Sequence, residues 1–162
     1  MKILGIDPGT AATGYGVLEI DSSRGGKNKN KYKCLQFGCI KTEPIDRFSK
    51  RLLILSREIR KIIKAHKPNL AAIETLFFFK NQKTIISVSR ATGVIILMME
   101  KMKIPIVEYS PPQVKKFLTK DGRAEKKEIQ KKVIKILKIK KKSIKDDAAD
   151  ALAIAIYAAE HL

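Results

Sequence analysis

Four acidic residues from distant parts of the chain are the first candidates for chemistry. Asp7 and Glu74 each follow an apolar run typical of a buried strand, where a charged side chain is normally avoided. Asp147 and Asp150 are three residues apart, so they share one face of a predicted helix. By spacing alone, Asp146 with Asp150 is an equally good pair. Single acids also have simpler explanations, since Asp7 could serve a turn and Asp147 a helix N-terminus.

Gathered carboxylates would require cations. Like charges in a partly dry site repel each other and take up protons unless something positive holds them. Hard divalent ions with oxygen ligands fit that need, and Mg²⁺ usually keeps several waters and shares substrate phosphates. Two such ions about 3.5–4 Å apart form the metal site of phosphodiester-cleaving enzymes. The four acids are therefore candidate metal ligands and catalytic residues for Mg²⁺, two ions per site, with Mn²⁺ as an alternative ion.

The elements that must position these acids follow from hydrophobic periodicity and turn residues. We predict strands over Lys2–Asp7, Thr13–Ile20, Tyr32–Lys41, Leu70–Thr75 and Pro105–Tyr109. We predict helices from Phe48 to a break at Pro68, and over Gln82–Lys103, Pro111–Leu118, Ala124–Leu137 and Lys145–Glu160. This order predicts one α/β domain over 1–162, with a five-stranded mixed sheet flanked by helices. Parallel pairing of the first and fourth strands would bring Asp7 and Glu74 side by side.

The charge of the chain points to a polyanionic partner. The 162 residues include 34 Lys and Arg against 16 Asp and Glu, a formal net charge of +18. Nucleic acid is the first expectation and an anionic membrane surface the second. A lysine-coated surface that reflects genome composition or growth at high temperature is the alternative. Lys115–Lys145 carries 14 basic and 3 acidic residues, whereas the end of the chain is acidic.

The two cysteines, Cys34 and Cys39, lie in one predicted strand. At a spacing of five they should point to opposite faces of the sheet and cannot pair within the strand. Two free thiols are typical of a reducing cytoplasm. The most apolar window, Ile85–Met99, is interrupted by polar residues and falls short of the ~20 apolar residues that a membrane span needs.

Four motifs follow one another along the chain. They are Gly5-Ile6-Asp7-Pro8-Gly9-Thr10 with Thr13-Gly14-Tyr15-Gly16-Val17, Ala72-Ile73-Glu74 with Phe77 and Lys80-Asn81, Pro112-Gln113-Val114-Lys115 with Ala124-Glu125-Lys126, and Asp147-Ala148-Ala149-Asp150-Ala151-Leu152-Ala153. Together they resemble the RuvC family of Holliday junction resolvases. Each motif alone is weak, but four in order with compatible spacing are a specific signal.

The resemblance implies a ribonuclease H-like fold and a homodimer that resolves four-way DNA junctions by paired, symmetric nicks. It assigns Asp7, Glu74, Asp147 and Asp150 to the metal, which selects Asp147 over Asp146, and it assigns Lys115 and Lys126 a catalytic place near the scissile phosphate. It implies a DNA-binding set of Phe77, Lys80, Lys115, Lys116 and Lys126. It also implies a partner, a branch-migration motor complex of the RuvA and RuvB type, and a bacterial, nucleoid-associated location.

Several alternatives stay open at this point. Asp7-Pro8-Gly9-Thr10 also resembles the phosphate loop of actin-like and sugar-kinase ATPases, although such enzymes need a second lobe. A non-catalytic basic DNA-binding protein would explain the charge but not Glu74. The long helix over Gln82–Lys103 is apolar nearly all round, so it is either buried centrally or has one face on the sheet and the other on a second copy. Many family members have an arginine directly before the helix glycine, whereas Thr92 precedes Gly93 here.

Overall fold

The computed structural model describes residues 1–20, 32–75, 82–140 and 144–162, without the side chains of residues 82–84. Its strands are β1 (Lys2–Asp7), β2 (Ala12–Ile20), β3 (Tyr32–Lys41), β4 (Leu70–Glu74) and β5 (Ile106–Tyr109). Its helices are α1 (Phe48–His66), α2 (Gln82–Lys101), α3 (Pro111–Thr119), α4 (Lys126–Leu137) and α5 (Asp146–Glu160). The predicted order of elements is confirmed, with boundaries that differ by two residues at most. The predicted loop between β2 and β3 lies outside the described residues.

The five strands form one mixed sheet in the order β3-β2-β1-β4-β5. β1 pairs antiparallel with β2, and it pairs parallel with β4 as predicted. Asn69 sets the start of the parallel pair, because its backbone N–H donates to the Lys2 carbonyl and its Oδ1 accepts from the Lys2 N–H, both at 2.8 Å. The register then aligns Ile6 with Ile73. Both strands therefore end at the same level.

The sheet is covered on both faces, which explains why its central strands are apolar without alternation. Helices α3, α4 and α5 pack on one face against strand residues such as Ile3 and Ala72. Helices α1 and α2 pack on the other face against the intervening residues, such as Leu4 and Ile73. Neighbouring residues of one strand thus enter different cores, and the sheet lies in the middle of the molecule.

Glycines let α5 approach the sheet more closely than any side chain would allow. A Cβ added at Gly5 would lie 2.0 Å from the Ala151 carbonyl oxygen, and one at Gly14 would lie 1.9 Å from that of Asp147. Such contacts are impossible without moving backbone, so both positions require glycine. The close approach presses the first turn of α5 against the ends of β1 and β2.

One expectation about the cysteines is wrong. A β-bulge shifts the register so that Val17 faces Gln36 while the next residue, Leu18, faces Cys34. Because β3 has one extra residue at the bulge, Cys34 and Cys39 lie on the same face of the sheet although they are five residues apart. Cys34 accordingly packs into the core under α5, and Cys39 also contacts α5. Both thiols are free.

No helix within the described residues is long and apolar enough to cross a lipid bilayer.

Candidate active site

The site is built first from the ends of β1 and β4. Asp7 and Glu74 follow the aligned pair Ile6 and Ile73, so they occupy the next position of two adjacent parallel strands. Parallel strands end at one edge of the sheet, and this shared edge places both carboxyl groups beside each other. The loop after Asp7 is held by Thr13, whose hydroxyl donates to the Gly9 carbonyl at 2.6 Å.

Helix α5 brings the second pair of acids to the same edge. Asp147 and Asp150 lie in its first turns, where the partial positive charge of the helix N-terminus favours carboxylates. Asp150 lines a cavity of about 220 Å³ together with Asp7 and Glu74. Asp147 does not line this cavity; it lies within electrostatic range of Asp7, on the side towards β3. The other three predicted acids therefore lie around Asp7, but Asp147 lies outside the cavity that Asp7, Glu74 and Asp150 line.

Two lysines complete the lining of the cavity. The Lys126 Nζ lies 3.9 Å from Asp150 Oδ2, at the start of α4. Lys115, half-buried on α3, donates to the Ala124 carbonyl at 3.0 Å, which fixes its ammonium group in place. The remaining walls are apolar and come from Pro111, Val114, Ile129, Ala153 and Ile154. Both lysines that the family resemblance selects are thus next to the acids, whereas Lys116 is exposed on α3.

The electrostatics of the cavity are those of crowded carboxylates. Burial, followed by the charges of Glu74, Asp150 and Asp147, raises the pKa of Asp7 well above its ordinary value. Burial and the charge of Asp150 raise the pKa of Glu74 to about 7, against the opposing effect of Lys115 and Lys126. Burial also raises the pKa of Asp150, although Lys126 and Lys115 oppose the shift. Two ammonium groups therefore do not neutralise the acids.

This arrangement fits a hard divalent ion. The groups in the cavity that can ligate a metal are carboxylate oxygens, which Mg²⁺ and Mn²⁺ prefer. A bound ion would also remove the electrostatic repulsion between these carboxylates. In the described part of the chain, no three Asp, Glu, His or Cys side chains already form a group able to hold a metal ion. The acids thus form an open pocket rather than a closed ligand cage.

One other acid considered in the sequence lies away from the cavity, and two predicted DNA-binding residues lie outside the described residues. Asp146 is exposed and accepts a hydrogen bond from the Gln130 side chain on α4, so it faces away from the cavity. Its charge still reaches Asp150 and raises the pKa of that carboxyl. Phe77 and Lys80 lie outside the described residues.

Sequence reasoning missed one polar neighbour of the acids. The Cys39 sulfur lies 3.8 Å from Asp147 Oδ2, and burial together with the charge of Asp147 raises the pKa of this thiol. The β-bulge has no clear sequence signal, and without it the face on which Cys39 lies cannot be derived. The apolar walls of the cavity were missed as well, because they depend on how α3 and α4 pack.

A β3-β2-β1-β4-β5 mixed sheet with acids at the ends of β1 and β4 and at the start of a covering helix defines a ribonuclease H-like nuclease. A sequence profile described as "Crossover junction endodeoxyribonuclease RuvC" matches residues 3–158. The chain therefore belongs to the RuvC family. Nucleases of this family depend on divalent metal ions.

Individual relatives agree with the family match. The chain is 47% identical over 155 residues to the crossover junction endodeoxyribonuclease RuvC of Petrotoga mobilis, covering 96% of this chain and 91% of the relative. The structure of Thermus thermophilus RuvC superimposes with a TM-score of 0.85 at 30% identity, covering 99% and 97% of the two chains. The structure of Thermus thermophilus RuvC in complex with Holliday junction substrate gives 0.84 at 27% identity, covering 98% and 93%.

Proposed function

We propose that this chain is a Holliday junction resolvase, a Mg²⁺-dependent endodeoxyribonuclease that cuts four-way DNA junctions by paired, symmetric nicks in recombination and repair. The observation that carries the proposal is the cavity in which Asp7, Glu74 and Asp150 meet Lys115 and Lys126. An acidic pocket with two ammonium groups, in a chain of net charge +18, suits a metal-dependent reaction on a phosphodiester. Family membership supports the same activity.

In this proposal Asp7, Glu74, Asp147 and Asp150 hold the divalent ions, two per site. The bound ions would supply an activated water and stabilise the leaving oxygen. Lys115 and Lys126 act on the phosphate itself, because ammonium groups held at the cavity stabilise the charge that develops on its oxygens. The tether from Lys115 to the Ala124 carbonyl limits the motion of this group before DNA arrives. The apolar walls limit the water that reaches the acids.

The homodimer is part of the same proposal, because two symmetric nicks require two sites. Helix α2 supports it: Ala91, Ile95 and Met99 are buried against the sheet. Its opposite face exposes Ile86 by 60% and Leu97 by 53%. Gly93 lies between them at helical spacing, and a Cβ there would meet nothing within 4 Å. We propose that a second copy of the chain covers this face.

The dimer is tested by replacing both exposed residues, Ile86→Lys with Leu97→Lys. We expect a monomer by sedimentation, with junction cleavage reduced to uncoupled single nicks or lost. Leu53→Lys on α1 is the control, since Leu53 is 48% exposed on a different helix. A double variant that sediments like the parent would contradict the assignment of this face.

The remaining expectations extend this function. The DNA-binding set would comprise Phe77, Lys80, Lys115, Lys116 and Lys126. All described elements pack around one sheet, which supports a single nuclease domain over 1–162. A branch-migration motor of the RuvA and RuvB type and a location at the bacterial nucleoid would follow from this role.

The function is tested with purified protein and a synthetic mobile four-way junction, in Mg²⁺ and in EDTA. We expect two nicks at symmetric positions in Mg²⁺ or Mn²⁺ and none in EDTA. A linear duplex of the same sequence is the control for junction selectivity. Junction binding with no cleavage under any divalent ion would favour a DNA-binding protein without catalysis, and ATP turnover without DNA would favour the ATPase alternative.

A further inference from the structure

Cys39 lies where the edge strand β3 meets the first turn of α5. Its Sγ is 3.8 Å from Asp147 Oδ2, which is within hydrogen-bond range for sulfur. In this contact the S–H is the donor and the carboxylate is the acceptor. The sulfur thus links β3 to α5 through the Asp147 side chain.

The contact is built into the sheet. Cys39 is the cross-strand partner of Gly14, and Gly14 is the residue whose missing side chain admits the Asp147 carbonyl. One pair of residues on β2 and β3 therefore accommodates both the backbone and the side chain of Asp147. The β-bulge after Cys34 is what turns Cys39 towards α5.

Asp147 needs such support more than the other acids do. Asp7, Glu74 and Asp150 are held among the walls of the cavity, whereas Asp147 does not line it. Within the described residues, the Cys39 thiol is the sole side chain that hydrogen-bonds the Asp147 carboxylate, and it engages Oδ2 alone. One carboxylate oxygen is therefore fixed by sulfur while Oδ1 stays available.

We propose that Cys39 is a positioning residue for the metal site, which holds the Asp147 carboxylate through Oδ2 so that Oδ1 can ligate the ion. The proposal rests on the assignment of Asp147 as a metal ligand in the proposed function. Partners that hydrogen-bond a ligand from outside the coordination shell typically change metal affinity or activity by 10–100-fold when they are removed. Since a thiol is a weak donor, we expect an effect of about tenfold.

The experiment compares Cys39→Ala with Cys39→Ser in the full chain. Without DNA and at constant ionic strength, the Mg²⁺ concentration for the half-maximal rise in melting temperature should increase about tenfold in Cys39→Ala. The hydroxyl donor of Cys39→Ser should restore the parental midpoint. Junction nicking should show the same shift in its Mg²⁺ dependence, with a nearly unchanged rate at saturating Mg²⁺. Cys34→Ala is the matched control, because Cys34 lies on the same strand and face but packs in the core.

Two outcomes would overturn the inference. A Mg²⁺ midpoint in Cys39→Ala equal to the parent's would show that the thiol does not support the site. A shift that Cys39→Ser fails to restore would show that packing rather than the hydrogen bond matters. Asp147→Asn separates this inference from the proposed function. If Asp147→Asn also leaves the midpoint unchanged, Asp147 is not a ligand, and the site assignment fails together with this inference.

Discussion

Asp7 and Glu74 end two adjacent parallel strands at the same level, and burial together with the charge of Glu74 raises the pKa of Asp7. The parallel register places them together, and burial under α5 makes their repulsion costly. A divalent ion relieves that repulsion, so the relationship predicts how the protein responds to substitution, pH and metal.

Asp7→Asn removes the acid that the other three surround. We expect nicking of four-way junctions to fall by more than about 100-fold, since even the outer partners of metal ligands typically contribute 10–100-fold. Junction affinity should be retained, because the basic surface is unchanged. Gel-shift titration and single-turnover nicking measure the two properties separately. Parental cleavage by Asp7→Asn would show that the site is misassigned.

Lys115 and Lys116 are adjacent on α3 but differ in their surroundings. Lys115 lines the cavity and is tethered to the Ala124 carbonyl, whereas Lys116 is exposed. We expect Lys115→Gln to reduce single-turnover nicking at saturating protein by about 100-fold, the effect of losing one preorganised charge-stabilising donor. Lys116→Gln should change this rate little. Equal losses in the two variants would indicate a general effect of charge instead of a catalytic role.

Because the pKa of Glu74 is raised, removing the charge of this carboxylate should stabilise the folded protein, and the gain should depend on pH. Folding raises this pKa from 4.5 to about 7, so the folded protein binds the proton more tightly. Stability from this group is therefore present below pH 4.5 and is lost as the pH rises to about 7. At 1.36 kcal/mol per pKa unit the loss is about 3 kcal/mol, and each kcal/mol corresponds to about 2–4 °C in Tm for a domain of this size.

The measurement is the Tm of metal-free protein in EDTA at pH 5 and pH 8. Glu74→Gln should melt several degrees above the parent at pH 8, with a smaller difference at pH 5. Glu43→Gln is the control, since Glu43 is exposed. Mg²⁺ should raise the Tm of the parent more at pH 8 than at pH 5. If the difference in Tm between Glu74→Gln and the parent is the same at both pH values, the pKa of Glu74 is not raised by burial.

The outer face of α4 should contribute to DNA affinity through phosphates alone. Exposed lysines at 127, 131, 135 and 138 repeat at helical spacing over about 16 Å and form no ion pair within the described residues. Each phosphate contact lowers the slope of log K against log salt by roughly 0.9. Replacing all four lysines with glutamine should therefore make this slope shallower by up to about 3.6.

Salt titrations of junction binding measure that slope. The control replaces four lysines on the helices of the opposite sheet face, Lys50, Lys61, Lys64 and Lys101. The same change of slope in both quadruple variants would mean that the positive charge acts diffusely and that α4 has no particular role.

Gly14→Ala tests the close approach of α5. The new Cβ would lie 1.9 Å from the Asp147 carbonyl oxygen, so the first turn of α5 must move. We expect a loss of at least the 1–3 kcal/mol typical of overpacking, together with weaker Mg²⁺ stabilisation. Gly122→Ala is the matched control, because its nearest contact would be an ordinary 3.4 Å to the Pro112 carbonyl. A Gly14→Ala variant with parental Tm would show that this approach is not tight.

Local signals in the sequence were enough to predict the elements and most of the candidate acids. Apolar periodicity and proline or glycine breaks are local signals, so strands such as Lys2–Asp7 and Tyr32–Lys41 could be predicted at their observed bounds. The order of elements allowed parallel pairing of β1 with β4, which the structure confirms. The apolar runs that precede Asp7 and Glu74 then distinguished these two acids from the others.

The way in which those residues act together depends on the tertiary structure. The bulge that turns Cys39 towards Asp147 arises from the pairing between β2 and β3. The sequence of β3 has no residue pattern that predicts it. The lining of the cavity depends on the packing of α3 and α4 across the sheet. The raised pKa of Asp7 and of Glu74 comes from burial and from charges distant in sequence. Desolvation and electrostatic repulsion depend on distances in space, which the order of residues does not contain.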